Sequence, residues 1–170
     1  LDADDYFLPN RYEKALAILE SDPSVDGVYE AVGTVCEGEA AAAFWHRAHP
    51  DGNLTTITDA LAPEDLFDRL IGGRHGYFHT DGILVRRSLF DRTGLFPPHL
   101  RMCQDTCMWL KMALAGRLVG GSLDEPVAMR RVHGENRIIR NAGEQAYYGY
   151  LVCEELLHWM PSEWVTPGRL

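Results

Sequence analysis

Leu1-Asp2-Ala3-Asp4-Asp5 gathers three carboxylates into five residues at the start of the chain. Ionised carboxylates two residues apart at a strand end can place one group on a divalent cation and another on a neighbouring hydroxyl. Hard cations take oxygen ligands and keep open positions for phosphate, so such a pair suits a metal-bound nucleotide. The competing reading is a solvated acidic turn that caps the helix after it, a common use of this composition.

A second group of charged residues, Arg130, Arg131, Arg137 and Arg140, lies far along the chain. It can supply local positive charge to an anionic substrate or form a solvated surface strip. Local help would be needed, because 16 Lys and Arg against 25 Asp and Glu leave a net charge of −9. That balance argues against a nucleic-acid partner, whose phosphate backbone calls for clustered cations. Cys36, Cys103, Cys107 and Cys153 form no CxxC pair. Cys103 and Cys107 are spaced for adjacent helical turns with His99 close by, which makes zinc conceivable; partly buried thiols are the ordinary reading. Free thiols fit a reducing, cytoplasmic compartment, the inner face of a membrane included. His46, His49, His75 and His79 present no case for metal binding.

The elements that must position these groups follow from periodicity. With 170 residues, 46% hydrophobic and 24% charged, the chain reads as one soluble globular domain able to bury a core. Its longest apolar run, Ala40 to Trp45, is far short of the roughly 20 residues that span a bilayer, so no membrane segment is expected. From Pro9, the spacing of Tyr12, Ala15, Leu16 and Leu19 predicts an amphipathic helix. Val28 to Val35 alternates as one strand. Residues 38 to 62 read as a long irregular connection with a turn at Pro50-Asp51-Gly52-Asn53. A short helix is expected from Pro63 through Leu70, a buried strand at Gly82 to Val85, and a short helix capped by Ser88-x-x-Asp91 and closed by Gly94. A longer helix starts at Asp105 with Met108, Trp109, Met112 and Ala113 inward. Strands at Leu118-Val119 and Val127 to Met129 follow, and Glu144 to Met160 reads as a helix apolar on more than one face. Helix and strand in this rhythm indicate an α/β layered fold.

In chain order, Leu1-Asp2-Ala3-Asp4-Asp5, Ile83-Leu84-Val85-Arg86-Arg87, Gly94-Leu95-Phe96, Gln104-Asp105 with Met108-Trp109-Leu110, and Arg131-Val132-His133 form a pattern. The pattern resembles the family 2 glycosyltransferases of the GT-A fold and covers about residues 1 to 137. The resemblance implies a partial GT-A (nucleotide-diphospho-sugar transferase) sheet with flanking helices over 1–140, followed by an apolar helix and tail over 141–170. It departs from the family in two ways. Gln104 stands where an acidic pair would have Glu. The strands that in this family precede Asp-x-Asp and hold the nucleobase are absent from the 170 residues, so the isolated chain is expected to be a poor enzyme that binds donor weakly.

The implied chemistry is metal-dependent, inverting transfer of a sugar from a nucleotide-diphosphate sugar to the hydroxyl of an unnamed acceptor. Asp4 would hold Mn²⁺ or Mg²⁺ at the leaving diphosphate, and Asp2 would accept from a ribose hydroxyl. Asp105 would be the single general base, against the alternative of a helix cap. His133 would be a further metal ligand and Arg131 a contact to the donor phosphates. His79-Thr80-Asp81 would line the sugar pocket or be ordinary loop polarity. The apolar surface of the C-terminal helix suggests packing on a second copy of the chain. Two other classes start from similar sequence: phosphoryl transfer of the haloacid-dehalogenase type, and a non-enzymatic calcium- or partner-binding module. Tyr6 stands where the first usually has Thr or Val, and the Gly and distal Glu of an EF-hand loop are missing for the second.

Overall fold

The alternating run from Val28 to Val35 does not form one strand; it is divided between two sheets. The computed structural model describes residues 3–48, 54, 57, 59–72, 76–134, 136, 142–161 and 164. Asp2, His49, His75, Arg137, Arg140 and the Pro50–Asn53 turn lie outside these residues. In chain order the elements are β1 (Tyr6–Phe7), α1 (Glu13–Ser21), β2 (Gly27–Tyr29), β3 (Val32–Cys36), α2 (Glu39–Ala48) and α3 (Leu66–Ile71). They continue with β4 (Ile83–Val85), α4 (Phe90–Thr93), α5 (Gln104–Ala115), β5 (Leu118–Gly120), β6 (Ala128–Val132) and α6 (Gln145–Trp159). The class is mixed α/β. Among the described residues no helix is long and apolar enough to cross a membrane.

One sheet has the order β4-β2-β5, with β2 antiparallel to β4 and parallel to β5. The other has the order β1-β6-β3, with β6 antiparallel to β1 and parallel to β3. The chain changes sheet at Glu30-Ala31, where each backbone N–H leaves the strand ladder. Glu30 donates to the Gly82 carbonyl at 2.7 Å and Ala31 to the Ser122 carbonyl at 2.7 Å. Period-2 patterning could not reveal this break, because Val28 through Thr34 are all buried.

Glu30 also carries a carboxylate into the interior, where Arg11 meets it. The Arg11 guanidinium donates to Glu30 Oε2 at 2.7 Å, to the Asp81 carbonyl at 2.6 Å and to the Ile83 carbonyl at 3.3 Å. Glu30 Oε1 accepts from the Ser122 N–H at 3.2 Å. Burial pushes the Glu30 carboxyl up and the Arg11 guanidinium down. For each partner desolvation outweighs the attraction, the usual balance for a buried ion pair whose value lies in fixing geometry.

The largest core lies between β2 and β5 on one side and α3, α5 and α6 on the other, with Tyr29, Phe67, Phe78, Met108, Met112, Leu118 and Leu156 at its centre. Ala15 and Leu19 of α1 pack on Val25 and Val28 in a smaller cluster. Tyr12 and Leu16, expected on the same inner face, are exposed, and Pro9 lies in the turn before the helix rather than in its first turn.

The expected irregular connection contains α2. Four consecutive alanines favour helix, and Ala41 and Trp45, one turn apart, bury against Val132 of β6. The expected Ser88 cap does not form: a 3-10 turn at Arg87–Leu89 leads into α4 with no side-chain cap bond. β4 is half-buried rather than buried, because it is an edge of its sheet. On α6, Val152 and Leu156 turn inward, with Met160 just after it, while Tyr147, Tyr150 and Leu157 stay exposed.

Arg11→Met would leave Glu30 as an unpaired buried carboxylate and is expected to cost about 3–5 kcal/mol in urea unfolding. Arg11→Met with Glu30→Leu should recover most of that loss. Equal destabilisation of the single and double variants would mean that the pair is not the source of the effect.

Candidate functional site

The register of the second sheet brings the N-terminal segment beside β6. Tyr6 lies opposite Met129 and Phe7 opposite Ala128. The residues before Tyr6 therefore run beside those after Met129, and Asp5 Oδ1 accepts from the Arg131 N–H at 2.9 Å. One step further out, His133 Nε2 lies 2.8 Å from Asp4 Oδ2. That bond holds the Asp4 carboxyl below its ordinary 3.8, with Arg131 adding a smaller effect in the same direction.

A cleft of about 1330 Å³ opens over this pair and reaches the start of α5. Asp4, Asp5, Asp105, Arg131, His133 and Asn136 all line it. Of the residues singled out in the sequence, Asp4, Asp105, Arg131 and His133 are thus brought to one space, although Asp105 is distant from the others in the chain. Asp2 lies outside the described residues.

Asp105 occupies the first turn of α5 without capping it. The cap position belongs to Cys103, which is left-handed at φ 59° and makes no side-chain cap bond. Asp105 Oδ1 accepts from the N–H of Thr106 at 2.8 Å. Next to it, Gln104 Oε1 is buried with no hydrogen-bond partner among the described residues. The Arg131 guanidinium is held by Glu37, and Arg130 lies over the Trp45 ring at 5.7 Å.

A metal-capable group appears where the sequence offered no case for one. Asp5, His79 and Asp81 each present one ligand atom, all within 4.8 Å of one another. His79 is held beside Asp81 in this group. Its Nδ1 accepts from the Asp81 N–H at 3.3 Å and stands 3.6 Å from Asp81 Oδ2. Burial, reinforced by the hydrogen bond and charge of Asp81, pushes the Asp5 carboxyl from 3.8 up to about 6. The donor set, two carboxylates and an imidazole, suits a divalent cation.

The Asp4–His133 pair fits the same chemistry, since two ligand atoms on adjacent corners of an octahedral ion, each about 2.1 Å from it, stand about 3 Å apart. The zinc reading of the cysteines does not fit. Cys107 is buried with its thiol pushed up to about 11, His99 pairs with Glu155 at 3.3 Å, and no cysteine joins the one metal-capable group among the described residues.

The sequence misses Asn136, and it offers Asp81 only within His79-Thr80-Asp81 as sugar-pocket lining or loop polarity, not as a partner of Asp5. Asp81 and His79 are separated from Asp5 by more than 70 residues, so no spacing could have joined them. Asn136 left a fainter trace, three residues after His133 in Arg131-Val132-His133-Gly134-Glu135-Asn136, the spacing of a turn. No family model matches the chain, and no curated protein matches it.

The raised Asp5 carboxyl makes stability depend on pH. A carboxyl whose folded value lies above its unfolded one binds protons preferentially in the folded state. Its stabilising contribution is complete below the ordinary 3.8 and is lost as pH rises through about 6. In metal-free buffer, wild type should therefore lose thermal stability relative to Asp5→Asn between about pH 4 and about pH 8. A difference in melting temperature that stays flat over this range would place the carboxyl at its ordinary value.

Proposed function

We propose that this chain carries the metal and base sites of an inverting glycosyltransferase, which transfers a sugar from a nucleotide-diphosphate sugar to an acceptor hydroxyl. The observation that carries the reading is the shared cleft: the Asp4–His133 pair and Asp105 all line one space of about 1330 Å³. Such transfer needs a neutralised leaving diphosphate and a deprotonated attacking oxygen, and these are the two things the residues are suited to supply.

Asp4 and His133 would hold Mn²⁺ or Mg²⁺, which when bound supplies Lewis-acid stabilisation of the leaving diphosphate. Arg131, beside Asp4, adds positive charge for the same phosphates once it exchanges Glu37 for them. The Asp105 carboxylate takes the proton of the acceptor hydroxyl as its oxygen bonds to the anomeric carbon. The bond from that carbon to the diphosphate oxygen breaks on the opposite face, so configuration inverts with one base. At Gln104 the neutral amide replaces a carboxylate, leaving Asp105 as the proton acceptor of that pair.

Thermal shift with Mn²⁺ and UDP together is the direct test. Joint stabilisation that disappears in Asp4→Ala supports the reading. A response to metal alone speaks for a cation-binding module, and a preference for a phosphate analogue speaks for phosphoryl transfer. Asp105→Asn should keep nucleotide binding and reduce turnover by roughly 10²- to 10⁴-fold, the range of general base catalysis. Wild-type turnover in that variant would remove Asp105 from the chemistry.

A further inference from the structure

We infer that Asn136 is a positioning residue that holds Asp4 and His133 at one edge of the cation site, an inference that rests on the metal reading proposed above. Asn136 touches both residues through opposite ends of its amide. Its Oδ1 accepts from the His133 backbone N–H at 2.5 Å. Its Nδ2 stands 3.3 Å from Asp4 Oδ2 and 3.3 Å from His133 Nε2. Its own backbone N–H donates to the His133 carbonyl at 3.0 Å and closes the turn.

The orientation of an amide is usually ambiguous, because oxygen and nitrogen scatter and pack alike. Here the backbone decides it. The His133 N–H can only donate, so the oxygen of Asn136 must face it, and the NH₂ group is left facing the two side chains. The three side-chain atoms form a triangle of 2.8, 3.3 and 3.3 Å. One amide is thereby fixed to the main chain of one ligand and to the side chain of the other.

This arrangement is compatible with a cation. His133 Nε2 has one lone pair, which a bound cation takes, so the amide cannot also donate to it. A carboxylate oxygen has more than one acceptor site, so Asp4 Oδ2 can bind the cation and still accept from Asn136 Nδ2. The amide then keeps the carboxylate oriented while its Oδ1 keeps the imidazole's backbone in place. Partners that orient ligands in this way are worth about 10- to 100-fold in metal affinity when removed. A turn residue without that role would affect folding alone.

Mn²⁺ binding to the full chain, read by the electron paramagnetic resonance of free Mn²⁺ with no nucleotide present, separates the two roles. Asn136→Ala is expected to lose about 10- to 100-fold in Mn²⁺ affinity and to lose little when introduced into His133→Ala, where the edge it positions is gone. Where the alanine variant does not fold, Asn136→Ser, compatible with a turn but too short to bridge both residues, should show the same loss. Unchanged affinity in Asn136→Ala, or an equal loss in both backgrounds, overturns the inference while the metal reading stands. Failure of wild type to bind Mn²⁺, or tight binding by His133→Ala, overturns the metal reading and the inference with it.

Discussion

The buried Arg11–Glu30 pair is the constraint on which the rest of the molecule depends. Glu30 sits where the chain passes from one sheet to the other, and Arg11 lies just before α1. The same guanidinium donates to the carbonyls of Asp81 and Ile83, so one side chain fixes α1, the sheet crossover and the entry to β4 together. Packing tightens this junction. The Glu30 N–H donates to the Gly82 carbonyl, and a Cβ on Gly82 would collide with the Glu30 carbonyl oxygen and the Val32 side chain. Gly121 is hemmed in by the Glu30 side chain in the same way. The contribution of such a pair here lies in the three segments its hydrogen bonds join rather than in net attraction between its charges.

That arrangement reaches the candidate site along two routes. Through Gly82 and Asp81, the junction carries His79 and Asp81 to Asp5. Through the crossover, it starts β3 in the register that pairs Val32 with Ala128 and Cys36 with Val132. β6 in turn pairs with β1, which sets Asp4 against His133 and Asp5 against the backbone of Arg131. Groups 126 and 129 residues apart in sequence thus meet because two strand registers agree. A slip of one residue in either would turn the acidic segment to the other face of the sheet.

Local elements with strong signals were legible in the sequence: the α5 stripe of Met108, Trp109 and Met112, the short helix after Pro63, and the close of α4 at Gly94, whose φ is 72°. What escaped depended on tertiary context. The split at Glu30-Ala31 is made by hydrogen bonds to Gly82 and Ser122, far away in sequence. α2 was hidden because polar neighbours and the later Pro50-Asp51-Gly52 suggested a loop, while its inner face is only Ala41 and Trp45. At the site, residue types pointed to Asp4, Asp105, Arg131 and His133, which line one cleft. Asn136, and the meeting of His79 and Asp81 with Asp5, could not be read there, since each acquires its place only through the junction or the turn that holds it.

The charges around the cleft constrain how an anionic donor could enter it. Asp4, Asp5 and Asp105 line it with Arg130, Arg131 and His133, and Asp81 lies behind Asp5. The positive side is partly committed, because Arg131 is paired with Glu37 and the His133 ring with Asp4. A diphosphate entering this cleft meets carboxylates as well as positive charge, and in a protein of net charge −9 the long-range field gives it no assistance. A cation held by Asp4 and His133, as proposed, would put positive charge beside the phosphates of such a donor. Under the proposed function, cation and nucleotide therefore bind as linked ligands, each raising the affinity for the other by the same factor.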